Sequence, residues 1–176
     1  MKTRKVILYI AMSLDGYIAT NDGDLSWLDA VQVPGEDYGY NAFVSSVDTV
    51  IMGRKTYDKV LTFDIPFPHK GHMCYVLSNS KQGTDENVTF YNGDLTALIA
   101  DLKSKEGEDI FVDGGANIVN ELMKHGLIDK FIVSVIPVFL GGGIRLFNDG
   151  RPGETLKLGH TSTYPSGLVQ MWYDRV

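Results

Sequence analysis

Cysteine occurs once, at Cys74, so no intramolecular disulfide can form and nothing asks for an oxidising compartment. Basic residues are in the minority: 16 Lys and Arg stand against 22 Asp and Glu, a formal charge of −6. The basic face or stripe of a dedicated nucleic-acid binder is missing. An anionic small ligand needs only local positive charge, so this shortage leaves one open. No apolar run approaches the ~18 residues of a membrane span. The N-terminal MKTRKVILYIAM starts basic and turns apolar, as a signal peptide does. It is soon broken by Ser13-Leu14-Asp15-Gly16, without an A-x-A-like cleavage site. The reading is a soluble cytoplasmic protein. Three familiar motifs are also missing: the G-x-G-x-x-G dinucleotide fingerprint, the G-x-x-x-x-G-K-[ST] phosphate loop and the G-x-S-x-G nucleophile elbow.

What is present fits one ordinary domain over residues 1–176, long enough to bury roughly 70% of its unfolded surface without disulfide or metal. Nineteen glycines exceed the usual ~7%, and they cluster where backbone must turn tightly or approach something closely. Val6–Met12 is a nearly unbroken apolar run, the pattern of a strand covered on both faces. Further strands are expected at Asp48–Met52, Met73–Leu77, Val88–Tyr91, Asp109–Val112, Lys130–Ile136 and Leu168–Tyr173, the last one antiparallel. Helices are expected within Tyr38–Val47, after Gly53, after the cap Asp94 and between Gly115 and the stop Gly126. Strands alternating with helices give an α/β domain with a mainly parallel sheet. The stretches Pro66–Gly71 and Asp149–Gly153 are expected as solvent-exposed connections.

Four places carry candidate chemistry, each at the end of an expected strand. Gly114-Gly115 opens a helix, whose free N–H groups and dipole favour an anion; the plain alternative is an ordinary glycine turn. Gly53-Arg54-Lys55-Thr56 repeats the arrangement with two cations added. Cations oppose the helix dipole there, so a solvated helix start explains them less well than an anionic ligand does. Leu77-Ser78-Asn79-Ser80-Lys81 is either the rim of a phosphate pocket or a polar turn. Asp15 and Asp113 either hydrogen-bond a substrate, such as an amino-substituted heterocycle, or cap turns. Trp27, Tyr38, Tyr40 and Phe43 either wall a ring-binding pocket or pack the core. His69, His72 and Cys74 lack a fourth ligand at a recognisable spacing, so no metal is expected.

In this order, the pieces resemble the dihydrofolate-reductase-like superfamily, and most closely the reductase domain of bacterial riboflavin biosynthesis (the RibD C-terminal domain). The resemblance rests on Ser13-Leu14-Asp15-Gly16-Tyr17-Ile18-Ala19, Val50-Ile51-Met52-Gly53-Arg54-Lys55-Thr56-Tyr57, Val76-Leu77-Ser78, Asp113-Gly114-Gly115-Ala116 and the run from Pro137 to Phe147. It implies a three-layer α/β/α fold with a mostly parallel central sheet and an antiparallel C-terminal strand. It also implies a cis peptide at Gly114-Gly115, NADPH as hydride donor and a homodimer. Cofactor contacts are implied at Gly53, Arg54, Thr56, Leu77, Ser78, Gly114, Gly115, Ala116 and Asn117. Asp15 and Asp113 are the implied catalytic carboxylates, with Trp27, Phe43 and Tyr57 against the substrate. Asp113 stands where the riboflavin enzymes more often carry Glu. Dihydrofolate reductases instead place a pterin-binding carboxylate on the helix after the first loop, where Glu36 and Asp37 lie nearby. The expected activity is NADPH-dependent reduction of a small heterocyclic or ribosylaminopyrimidine substrate. The alternatives are a dihydrofolate reductase and a non-catalytic NADPH-binding sensor.

Overall fold

Val6 and Leu8 pack into one apolar cluster and Ile7 into another, which is why the run they begin must lie in the middle of a sheet covered on both faces. The computed structural model describes residues 3–176 and shows that arrangement. The chain forms β1 (Val6–Ser13), β2 (Tyr17–Ala19), a 3-10 turn (Ser26–Val31), α1 (Tyr40–Val44), β3 (Val47–Gly53) and α2 (Arg54–Val60). There follow β4 (Met73–Leu77), β5 (Gly83–Thr84), β6 (Thr89–Tyr91), α3 (Leu95–Ser104), β7 (Asp109–Gly114) and α4 (Ala116–Lys124). The chain ends with β8 (Lys130–Ile136), β9 (Ile144–Arg145), β10 (Leu156–Thr163) and β11 (Val169–Arg175). Nine strands make one sheet in the order β10-β11-β8-β1-β7-β3-β4-β6-β5, and β2 pairs with β9 separately. The six strands from β8 to β6 run parallel, so all their carboxyl ends lie along one edge.

Helix α3 forms because Leu95, Leu98, Ile99 and Leu102 recur on one face, and all four are buried. The Asp94 carboxylate caps it, accepting from the amides of Thr96 (2.6 Å) and Ala97 (3.2 Å). Helix α4 buries Val119 and Leu122 on the same side of the sheet and ends at Gly126, whose φ of +60° admits glycine readily. Phe43 of α1 and Tyr57 of α2 pack on the opposite face, completing three layers.

The C-terminal strand is antiparallel to β8, as expected. It carries a further antiparallel neighbour, β10, that the sequence pattern conceals. Leu156–Thr163 is an edge strand exposed along most of its length, so it shows neither a buried run nor a clean alternation. Pro66–Gly71 is largely exposed, as expected, with one exception: His69 within it is buried at 2% exposure. Its imidazole fills a place between Phe67 and Phe111, whereas Asp149–Gly153 is exposed as expected.

Candidate active site

Strands β3 and β7 are paired neighbours, and each turns straight into a helix, through Gly53 into α2 and through Gly114-Gly115 into α4. The Gly114-Gly115 peptide is cis. The two turns abut, so a side chain at either glycine would crowd its neighbour. A Cβ on Gly53 would lie 3.2 Å from Ile118 Cγ1 and 3.7 Å from the Gly115 nitrogen; one on Gly115 would lie 3.1 Å from Thr56 Oγ1. Neither Gly53 nor Gly115 caps its helix with a side chain. Two sets of helix-start N–H groups therefore stand side by side at one strand edge, an arrangement suited to a ligand bearing several phosphates. Ala116 is buried at the start of α4, and Asn117 beside it is exposed.

A cleft of about 340 Å3 lies between the start of α3 and one side of α4, lined by Leu77, Asp94, Thr96, Ile118, Glu121 and His125. On the α2 side, Arg54 places its guanidinium 5.6 Å from the Phe90 ring centre, and Lys81 Nζ stands 4.6 Å from the same ring. Arg54 Nε donates to Asp58 Oδ1 at 2.7 Å, while Nη1 and Nη2 have no protein partner among the described residues. Ser78 is buried, and its hydroxyl accepts the amides of Ser80 (3.3 Å) and Lys81 (3.0 Å). That turn sets Lys81 against Phe90, the ring that Arg54 also meets, a shared neighbour that spacing in the sequence could not reveal.

Asp15 is placed on the β8 side of β1. Its Oδ1 accepts from Ser13 Oγ (2.5 Å) and the Leu140 amide (3.1 Å), and Oδ2 from the Gly141 amide (2.7 Å). These bonds, led by the one from Ser13, hold its carboxyl below the usual aspartate range. Asp15 thus ties the first loop to the triple-glycine segment. There Gly143, at φ +142°, passes so close to the Ala19 carbonyl that no Cβ would fit. Asn120 of α4 holds the far end, donating to the Leu146 carbonyl (2.8 Å) and accepting from the Asn148 amide (2.9 Å). Asn at position 15 would offer one acceptor to two amides. We expect Asp15→Asn to lose the hydrogen-exchange protection of Leu140 and Gly141 at neutral pH. A carboxylate with a lowered pKa stabilises above its unfolded pKa and ceases to do so as pH falls through the folded one. The native protein should therefore keep this protection at neutral pH and lose it only in acid; unchanged exchange in the variant would refute the tie.

Asp113 is placed on the other side, toward β4. The β3–β7 register steps from Ile51↔Val112 to Met52↔Gly114, so Asp113 is the extra residue of a bulge, a device that re-aims a side chain. Its Oδ2 lies 3.0 Å from His69 Nε2, and the carboxyl retains 21% exposure. Tyr40 flanks it from α1; burial, reinforced by the Asp113 charge, raises the Tyr40 pKa and keeps its phenol protonated. Burial likewise pushes the Cys74 thiol up to about 12. Asp15 and Asp113 are not in contact with each other; each serves a different neighbour.

The expected substrate aromatics divide differently. Phe43 is a core residue at 6% exposure, stacked on Tyr9 at 4.7 Å and set edge-on to Phe111 at 4.9 Å. Tyr57 is also core, at 2%, and its hydroxyl donates to Asp85 Oδ2 at 2.7 Å. Both are on apolar helix faces, where burial outweighs exposure to a cleft. Trp27 packs in a third cluster with Val31, Ile136 and Leu168. Sequence pattern assigns His69 no role here, because its meaning depends on Asp113, 44 residues away. His72 Nε2 faces the Val44 carbonyl instead, and no metal-holding group of three or more His, Cys, Asp or Glu exists among the described residues. No helix among them is long and apolar enough to cross a membrane.

A mostly parallel sheet with helices on both faces and paired glycine turns at its carboxyl edge defines a dihydrofolate-reductase-like protein. Residues 4–170 match the family model of the RibD C-terminal domain, and the chain belongs to that family. It is 45% identical over 173 residues to the uncharacterized protein YwjB of Bacillus subtilis (strain 168), covering 98% of both chains. A crystal structure of a provisionally assigned riboflavin biosynthesis protein from Shewanella sp. PV-4 superposes with a TM-score of 0.90 at 34% identity. The match covers 98% of this chain and 99% of that one. The dihydrofolate reductase of Enterococcus faecalis, complexed with NADP(H), shares the fold at a TM-score of 0.68 and 14% identity, over 97% of this chain and 96% of its own.

Proposed function

We propose that the protein is an NADPH-dependent reductase acting on a small heterocycle of the ribosylaminopyrimidine kind. The observation that carries this reading is the pair of abutting glycine turns with two uncapped helix starts, one of them carrying Arg54. Gly53, Thr56, Gly114, Gly115, Ala116 and Asn117 would receive the cofactor's phosphates, with Leu77 and Ser78 along its path and Arg54 at a terminal phosphate. NADPH supplies the hydride when bound. The chain's own contribution is to orient the two reactants, exclude water and offer Asp113 to the substrate.

A dihydrofolate reductase fits less well. Helix α1 carries no carboxylate, and both nearby acids are committed to their own turn. Asp37 accepts from the amides of Gly39 (2.9 Å) and Asn41 (3.1 Å), and Glu36 from that of Tyr38 (2.7 Å). The test is titration with NADPH and NADH in parallel, followed by a substrate screen at 340 nm. Tighter binding of NADPH, with turnover of a pyrimidine and none of dihydrofolate, is the expected result. Failure to bind either nucleotide would overturn the reading, and binding without turnover of any substrate offered would make the protein a sensor.

A further inference from the structure

Among the described residues, the His69 imidazole makes one hydrogen bond, to Asp113. The imidazole is 2% exposed, set edge-on to Phe67 and Phe111 with ring centres 5.6 Å away in both cases. A carboxylate only accepts, so the hydrogen of the 3.0 Å contact sits on Nε2 of His69. Nδ1 is buried without a partner among the described residues. An imidazole here carries a desolvation cost that a leucine of similar volume would not. Packing alone therefore does not account for it. The bond also settles the geometry of Asp113. One oxygen, Oδ2, is held from below, and the other, Oδ1, has no hydrogen-bond partner among the described residues, on a carboxyl that keeps part of its surface. The bulge at Asp113 and the burial of His69 within the otherwise largely exposed segment Pro66–Gly71 are two separate features of the chain that converge on this contact.

We propose that His69 is a positioning residue: it fixes Asp113 as a hydrogen-bond acceptor for a substrate N–H, and so gives the site its preference for amino-substituted pyrimidines. This rests on the reductase reading for the identity of the site, but its test does not depend on turnover.

The probe is 5,6-diaminouracil, titrated by calorimetry into the protein saturated with NADP+, and also into the protein alone. His69→Leu is expected to weaken probe binding about 10-fold, the scale of one charge-assisted bond. His69→Gln, whose side-chain amide can donate in place of Nε2, is expected to stay within about 3-fold of the native protein. Asp113→Asn should bind as poorly as His69→Leu, and the double variant no worse than either alone. Affinity for NADPH, measured without the probe, should be unchanged in all of them. Because His69→Leu removes a buried unpaired nitrogen, its melting temperature should stay near the native value. Equal affinity in the native and Leu variants, equal losses in Leu and Gln, or no binding of the probe at all would overturn the proposal. Probe binding that depends on His69 in a protein that ignores NADPH would uphold this inference and overturn the reductase reading. The reverse pattern would do the opposite.

Discussion

Arg54→Ala is expected to weaken NADPH binding roughly 10- to 150-fold, the loss of one charge-assisted contact to phosphate. Asp58, one turn on, holds Nε, and the Phe90 ring supports the guanidinium plane. Nη1 and Nη2 therefore remain as a prepared fork for two phosphate oxygens. Lys81 stands over the same ring and adds a second positive charge in a chain whose net charge is −6. If the partner is the 2′-phosphate, NADH affinity should change much less and the preference between the nucleotides should shrink. Equal losses for both would put Arg54 at the pyrophosphate. Arg54→Lys should recover only part of the affinity, because an ammonium cannot reproduce the fork. No loss for either nucleotide would make Arg54 a solvated side chain and remove the ground for preferring NADPH.

The largest effect on stability is expected far from the cleft, at Arg4. This guanidinium lies at the amino ends of the strands with 2% exposure. It donates to the carbonyls of Glu108 (2.6 Å) and Leu102 (3.1 Å) and to Thr49 Oγ1 (2.8 Å), and pairs with Asp48. Asp48 Oδ2 in turn accepts the Glu108 amide at 2.8 Å. Arg4 thus joins the last turn of α3, the start of β3 and the turn into β7. Asp48 is the extra residue of a second bulge, at the Val47–Thr49 step of the β3–β7 register. Arg4→Met would leave the Glu108 and Leu102 carbonyls without this donor and Asp48 without its countercharge. Because Asp48 keeps 37% exposure and other hydrogen bonds, the loss should fall at the low end of the range for breaking a buried pair, about 3 kcal/mol. For a chain of this size that lowers the melting temperature by roughly 6–12 °C. Urea denaturation should show the same loss with an unchanged slope, while NADPH affinity of the folded variant stays native. A variant as stable as the native protein would show that the network adds nothing beyond what apolar packing provides.

Arg54 and Arg4 differ in how far along the chain their partners lie. Arg54 stands out from its sequence neighbours alone, because a cation beside a glycine at a helix start runs against the dipole and invites an anion. Arg4 does not, since a single arginine in a basic N-terminus looks solvated until its partners at positions 48, 49, 102 and 108 are known. The same contrast separates Asp94 from His69. A cap and its helix are a local pattern within four residues, so Asp94 and the α3 face are readable directly. His69 gains its meaning from a carboxylate on another strand, and its loop carries the proline and glycine of an exposed turn.

Features that depend on neighbours along the chain could be read from the order of residues alone. Apolar runs marked the central strands, the 3.6-residue spacing marked α3 and α4, and glycines at strand ends marked the turns where backbone comes close. The ordered motifs were enough to indicate the family. The tertiary structure decided what depends on neighbours in space. It added β10, which has no local signature because an edge strand needs no buried face. It moved Phe43 and Tyr57 from the cleft to the core, and it turned Asp15 toward the backbone of Leu140 and Gly141. It also set His69 behind Asp113, because a one-residue bulge and one side chain buried from a surface loop bring together groups that no periodicity relates.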